Sequence, residues 1–259
     1  MKKFLLTLTA IFICTIAYAH TINWYVGDTI LETTTCDSGD SITPPTAPYK
    51  YGYHFVEWAP YSARIEYLES TGTQYIDTGV YPNQNTRAII SLQTGTNAST
   101  DVGRPFGVRD DQGLNFSMLI FPGYETNRIR FDYYTSRDII INTSVSTLSK
   151  KLLIDFNNSQ HQVKVYNENN LIANTSFPTA TWQSNESLYM GLNDGEDKVA
   201  MPNNTKIYQF QIYDNDTLVR DFIPVLDPDG VPCMYDKVEQ KLYYNQGTGQ
   251  FIAGPVIGE

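Results

Sequence analysis

Arg128-Ile129-Arg130-Phe131-Asp132-Tyr133 places an apolar or aromatic residue at every second position and a charged one between. Successive side chains of a strand point to opposite faces, so one face of this stretch suits a core and the other suits water. The reading recurs along the chain. Val163 and Val165 alternate with Gln162, Lys164 and Tyr166 ahead of Asn167-Glu168-Asn169-Asn170. Tyr208, Phe210 and Ile212 alternate with Gln209 and Gln211 ahead of Asp214-Asn215-Asp216. Asn and Asp tolerate the left-handed backbone of tight turns, so each cluster punctuates two strands. From about Tyr67 to Phe251 the pattern predicts an all-β fold, an antiparallel sandwich or barrel.

The N-terminus is organised differently. Lys2 and Lys3 precede an apolar stretch from Phe4 to Ile16, and Ala17-Tyr18-Ala19 supplies a small–x–small cleavage site. This is the arrangement of a signal peptide over residues 1–19, with the mature chain expected to begin at His20 and to be secreted, periplasmic or at the cell surface. The apolar stretch is short for a spanning helix, and no second one follows, so no membrane span is expected in the mature chain. Cys14 follows Ile13 rather than a small residue, which argues against a lipoprotein signal.

The chain carries 18 basic and 28 acidic residues, a net charge of −10, and loss of Lys2 and Lys3 makes it more negative. An acidic surface repels phosphate backbones, which sets nucleic acid aside as a partner. Cys36 and Cys233 remain beyond the leader. Export permits a disulfide between them, which would contribute about 4–5 kcal/mol by closing so long a loop. The alternative is two unpaired thiols, and spacing alone does not choose between them.

A boundary is expected near residue 60, dividing a small β module at 20–61 from a larger domain at 62–259. The small module opens with Ile22-Asn23-Trp24-Tyr25-Val26, turns at Gly39-Asp40, passes through Pro44-Pro45-Thr46-Ala47-Pro48 and closes on Gly52-Tyr53-His54-Phe55-Val56-Glu57-Trp58. That order resembles the Listeria–Bacteroides (internalin-type B) repeat of bacterial surface proteins, which implies a β-grasp-like spacer or contact module. The large domain opens with Tyr67-Leu68-Glu69-Ser70-Thr71-Gly72-Thr73-Gln74-Tyr75-Ile76-Asp77-Thr78-Gly79. It closes through Asp221-Phe222-Ile223-Pro224-Val225, Val231-Pro232-Cys233-Met234-Tyr235-Asp236 and Tyr244-Asn245-Gln246-Gly247-Thr248-Gly249. These ends resemble bacterial concanavalin A-like (laminin-G-like) domains. The resemblance implies a jelly-roll sandwich that binds a glycan or a surface protein.

Catalytic side chains are scarce. Jelly-roll glycoside hydrolases of the laminarinase type carry Glu-x-Asp-x-x-Glu on one strand, because alternate residues point into one cleft. No Glu-x-Asp occurs in this chain. A nucleophilic triad needs a histidine base, and the large domain offers His161 alone, between Gln160 and Gln162. A freed His20 amine and imidazole could chelate copper together with His54 or His161, as in lytic polysaccharide monooxygenases, but its surroundings match the small module. Calcium is the better-matched ion, since hard cations favour oxygen ligands. Asp194, Glu196 and Asp197 in one loop, and Asp227 and Asp229 in another, are the candidate ligands, although Asn, Asp and Gly in such loops also serve simply as turn formers. Tyr124, Tyr133, Tyr134, Trp182 and Tyr189 are candidate stacking rings for a sugar, in a sandwich that also needs aromatic core.

The expected function is binding without catalysis, of a glycan or a surface protein, with no cofactor except calcium. The alternatives are a glycan-active enzyme on the same scaffold, or a purely structural surface module.

Overall fold

The computed structural model describes residues 19–26, 29–37, 40–49, 51, 59–94, 103–121, 128–142, 147, 149–195 and 197–257. Several expectations fall outside these residues: the leader through residue 18 with Cys14, the turn residue Gly39, the closing stretch 52–58 with His54, Tyr124, and Glu196. The chain divides into two compact units, Met1–Trp58 and Ala59–Glu259.

The described residues form twenty-one strands. The first unit holds β1 (Ala19–Val26) and β2 (Thr29–Asp37). The second begins with β3 (Ala63–Arg64), β4 (Leu68–Glu69), β5 (Ile76–Asp77), β6 (Thr86–Gln93), β7 (Gly103–Arg109), β8 (Asn115–Phe121), β9 (Arg128–Tyr134) and β10 (Ser136–Asn142). Next come β11 (Leu152–Asn157), β12 (Gln162–Asn167), β13 (Asn170–Ser176), β14 (Tyr189–Met190), β15 (Leu192–Asp194) and β16 (Asp197–Val199). It ends with β17 (Lys206–Asp214), β18 (Thr217–Leu226), β19 (Pro232–Asp236), β20 (Lys241–Tyr243) and β21 (Ile252–Ala253).

In the first unit β1 and β2 pair antiparallel, from Ala19 opposite Asp37 to Val26 opposite Thr29. Trp24 Nε1 donates to Thr34 Oγ1 at 2.9 Å, and Thr33 Oγ1 donates to Asn23 Oδ1 at 2.8 Å. Cross-strand pairs of this kind hold a hairpin's register.

The second unit is an antiparallel β-sandwich. One sheet runs β10-β9-β8-β7-β14-β5, and the other runs β13-β12-β11-β6-β17-β18-β19-β20. Of the pairings between strands, β15 against β7 is parallel and the others are antiparallel. The alternation read from the sequence is what fills the space between the sheets. Ile129, Phe131 and Tyr133 of β9 are buried, as are Val163 and Val165 of β12. Phenylalanines bridge the layers: Phe116 of β8 stacks on Phe156 of β11 with ring centroids 4.4 Å apart, and Phe106 of β7 meets Phe210 of β17 at 5.5 Å. Each fully buried ring removes apolar surface worth about 1.5–3 kcal/mol from water. The turns are those the composition predicts. Asn215 and Asp216, with φ of 47° and 61°, join β17 to β18 as a two-residue hairpin loop of left-handed residues.

One strand departs from simple alternation. The register between β17 and β6 shifts between Ile207 and Gln209. This bulge puts Ile207 rather than Tyr208 in the core beside Phe210 and Ile212. Tyr208 lies half-buried on the outer face, where its hydroxyl donates to Gln93 Oε1 at 2.8 Å. A bulge adds one residue to the strand and so flips the side that each preceding side chain faces.

The two ends of the sandwich domain are joined through Gln74, which is fully buried. Its Oε1 accepts from Thr71 N at 2.8 Å and from Ser70 Oγ at 3.1 Å. Its Nε2 lies 2.7 Å from Thr71 Oγ1, 2.8 Å from Thr73 Oγ1, 3.2 Å from Thr248 O and 3.1 Å from Gln250 O. A backbone N–H on one side and backbone carbonyls on the other fix which end of the amide is which. Asn245 works from the other end: its Oδ1 accepts from Tyr75 N at 3.2 Å and from Gly247 N at 2.8 Å. A Cβ at Gly247 would lie 2.1 Å from Thr73 O, so only glycine lets the closing segment approach.

Cys36 and Cys233 carry free thiols. Cys233 is fully buried on β19 beside Val225 and Tyr235, and burial, reinforced by the Asp227 carboxylate, pushes its thiol up to about 12. Cys36 is half-buried on β2.

Two outcomes follow from these placements. Replacing Gln74 by Leu strands buried donors and acceptors from both ends of the domain and is expected to destabilise it by about 2–4 kcal/mol in denaturant unfolding. A change under about 0.5 kcal/mol would remove Gln74 from its role as a clasp. In native-state alkylation at neutral pH, Cys36 should react while Cys233 stays protected, because a thiol titrating near 12 supplies almost no thiolate. Equal labelling rates at the two positions would contradict the burial of Cys233.

A candidate ligand pocket at the sandwich rim

Three chain segments meet at one end of the sandwich. The first, Asn83–Asn85, leads into β6; the second, 158–161, turns β11 into β12; the third, 177–184, follows β13. Asn and Ser side chains shape each turn. Asn83 Oδ1 accepts from Asn85 N at 2.7 Å, and Asn157 Oδ1 accepts from Ser159 Oγ at 2.8 Å and Gln160 N at 3.1 Å. Hydrogen bonds between segments lock them together. Asn158 Nδ2 donates to Asn83 O at 2.9 Å, and Asn158 N donates to Thr86 O at 3.0 Å. Gln84 N donates to Trp182 O at 3.2 Å, while Trp182 N donates to Gln84 Oε1 at 3.1 Å. Phe177 N donates to His161 O at 3.0 Å.

Between the segments opens a pocket of about 390 Å³ lined by Gln84, Asn85, Ser159, His161, Thr179, Ala180 and Thr181. That volume lies at the small end of ligand-binding cavities, about 300–1,000 Å³. One lining residue, His161, connects to the packed aromatic core. His161 meets Phe177 edge-on at 5.9 Å, Phe177 meets Tyr133 at 4.4 Å, and Tyr133 meets Trp182 edge-on at 5.7 Å. Three buried polar atoms in these segments have no hydrogen-bond partner: His161 Nδ1, Asn158 Oδ1 and Trp182 Nε1. Buried polar groups are paired in most folds, so these three are exceptions. His161 also holds a left-handed backbone, φ 52°, which costs a non-glycine residue on the order of 1 kcal/mol.

The candidate rings are placed differently from expectation. Tyr133 is 2% exposed, Trp182 5% and Tyr189 8%, so none offers a ring face to a sugar. Tyr133 and Trp182 belong to the core. Burial raises the Tyr133 hydroxyl above its ordinary value. Tyr189, on β14, stacks on Tyr75 with centroids 5.6 Å apart, and burial, with the Asp77 carboxylate next in weight, pushes its hydroxyl up to about 12. Tyr134 is half-buried, packs against the core and has φ 53°. In a two-layer fold the large rings are drawn between the sheets, because exposing them forfeits the burial that stabilises it.

The candidate calcium loops are organised as turns. Asp227 Oδ1 accepts from Asp229 N at 2.9 Å and Val231 N at 2.8 Å, and its Oδ2 accepts from the Tyr244 hydroxyl at 3.1 Å. Asp229 is exposed. Asp194 lies 3.7 Å from Arg109 Nε and faces Asp197 across the β15–β16 hairpin. In that hairpin the Lys198 ammonium donates to Asn193 Oδ1 and Gly195 O, the oxygens a cation would use. Among the described residues no group of three or more His, Cys, Asp or Glu converges on one point.

His161 is the one lining residue that the sequence singled out, and it had no evident partner there. Gln84, Asn85, Ser159, Thr179, Ala180 and Thr181 come from separate segments whose only local signal is turn composition.

No family model matches the chain, and no curated protein matches it. Solved structures give distant likenesses. One is the CBM40 of the Ruminococcus gnavus IT-sialidase bound to α2,3-sialyllactose, at 13% identity and TM-score 0.40, over 57% of this chain and 89% of that one. Another is the extracellular region of zebrafish Gpr126/Adgrg6, also at 13% identity and TM-score 0.40, over 70% of this chain and 25% of that one.

Proposed function

We propose that the chain is an exported, non-catalytic binding protein whose sandwich recognises a glycan at the rim pocket. The observation that carries this reading is a preformed polar pocket lined by amide, hydroxyl and imidazole side chains. Hydroxyl and amide side chains both donate and accept, which matches the dual character of sugar hydroxyls. The size also favours a sugar over a protein, since a standard protein interface covers about 800 Å² on each partner. Binding rather than turnover is supported by what lines the cavity. No carboxylate is among its lining residues to act as acid or nucleophile, and Ser159 Oγ is engaged by Asn157 rather than by an imidazole.

Affinity would come from hydrogen bonds to a rigid site. His161→Ala and Thr181→Val should each weaken glycan binding by about tenfold, the effect of losing one well-formed bond in a small site. Because the donors are amides, hydroxyls and imidazole, binding should survive a calcium chelator. Glycan-array or affinity-electrophoresis measurements on the leaderless chain check both points. A chain that retains no glycan, or one whose binding ignores both substitutions, would remove the rim pocket as the recognition site.

A further inference from the structure

We infer that the rim pocket selects an uncharged, hydroxyl-rich sugar and rejects sugars bearing carboxylate or sulfate. The inference rests on the glycan reading above and adds the ligand's chemical class. None of the lining residues is Asp, Glu, Lys or Arg: they are two amides, three hydroxyls, one imidazole and one methyl group. An anionic sugar entering this cavity would give up hydration without meeting a cation, and an unpaired charge in a partly buried site is disfavoured.

The surroundings push the same way. Asn83, next to the lining residue Gln84, is tied to an acidic side chain: its Nδ2 donates to Asp214 Oδ1 at 3.1 Å. The guanidinium that follows in sequence, Arg87, is spoken for. Its Nε and Nη2 pair with the two oxygens of Asp155, each at 2.8 Å, and that hydrogen bond raises its pKa further. A bidentate pair of this geometry is rigid and not easily recruited to a ligand. The chain's net charge of −10 adds a long-range repulsion of anions.

Neutral sugars meet none of these obstacles. Their hydroxyls can accept from the Gln84 and Asn85 amides and exchange hydrogen bonds with the Ser159, Thr179 and Thr181 hydroxyls, while the Ala180 methyl leaves room for a ring carbon face.

The test is calorimetric titration of the leaderless chain with paired oligosaccharides, neutral against sialylated, uronate-bearing or sulfated, at about 0.15 M and about 1 M salt. Neutral compounds should bind about tenfold or more tightly than acidic ones at both salt concentrations. Thr181→Lys, which puts a cation in the pocket, should weaken neutral binding and strengthen acidic binding. Thr179→Lys gives the same readout should the first variant fail to fold. Acidic sugars that bind as tightly as neutral ones, with binding lost in His161→Ala, would overturn the selectivity while leaving the glycan reading intact. Discrimination that vanishes in high salt would assign it to net charge and overturn the pocket's role. Neutral binding that ignores both lysine variants would place the sugar elsewhere and overturn the inference. Retention of neither class would overturn the inference and the reading beneath it.

Discussion

The sandwich depends on the burial of one neutral amide. Gln74 is held by donors and acceptors from the opening stretch and by carbonyls from the closing stretch, residues more than 170 positions apart. A buried amide without partners would cost more than most core contacts supply, so the domain tolerates Gln74 only when both ends are in place. The closing segment can reach it because Gly247 leaves space over Thr73 O. Two stretches that look unremarkable in composition therefore act as a single clasp, and the sheets between them inherit a fixed register at their margins.

Inside that clasp the core follows from alternation. The strand containing Ile129, Phe131 and Tyr133 is legible in the sequence because a half-buried strand has no other way to sort its residues. The bulge at Tyr208 is not legible, since adding one residue leaves a plausible alternation on either side and only the partner strand reveals the shift. Rings raise a related difficulty. Tyr133, Trp182 and Tyr189 read equally well as platforms or as core, and their fate is decided by what faces them across the sandwich. The loops carrying Asp194 and Asp227 show the same limit. Carboxylates that suggest an ion site are occupied by backbone N–H groups, a tyrosine hydroxyl and an arginine.

The pocket was the least legible part, and for a physical reason. Its walls come from three segments that approach only after the strands between them pair. Each wall residue is an ordinary turn former in its own neighbourhood. His161 stands apart because it keeps a left-handed backbone that glycine or asparagine would hold with less strain. Strain retained beside a cavity is consistent with selection for what the side chain does there rather than for stability.

The ends of the sandwich domain also meet in space. Ile65 bridges Val256, and Glu66 N donates to Pro255 O at 2.8 Å, so the chain enters and leaves the domain at adjoining points. A body built this way has in effect one attachment point. It can be spliced into a loop of an unrelated protein, or re-cut at another loop with its old ends linked, without dragging the host's chain across its surface. For a β-sandwich that arrangement means portability: the domain travels as a cassette, and the architecture that displays it can change around it.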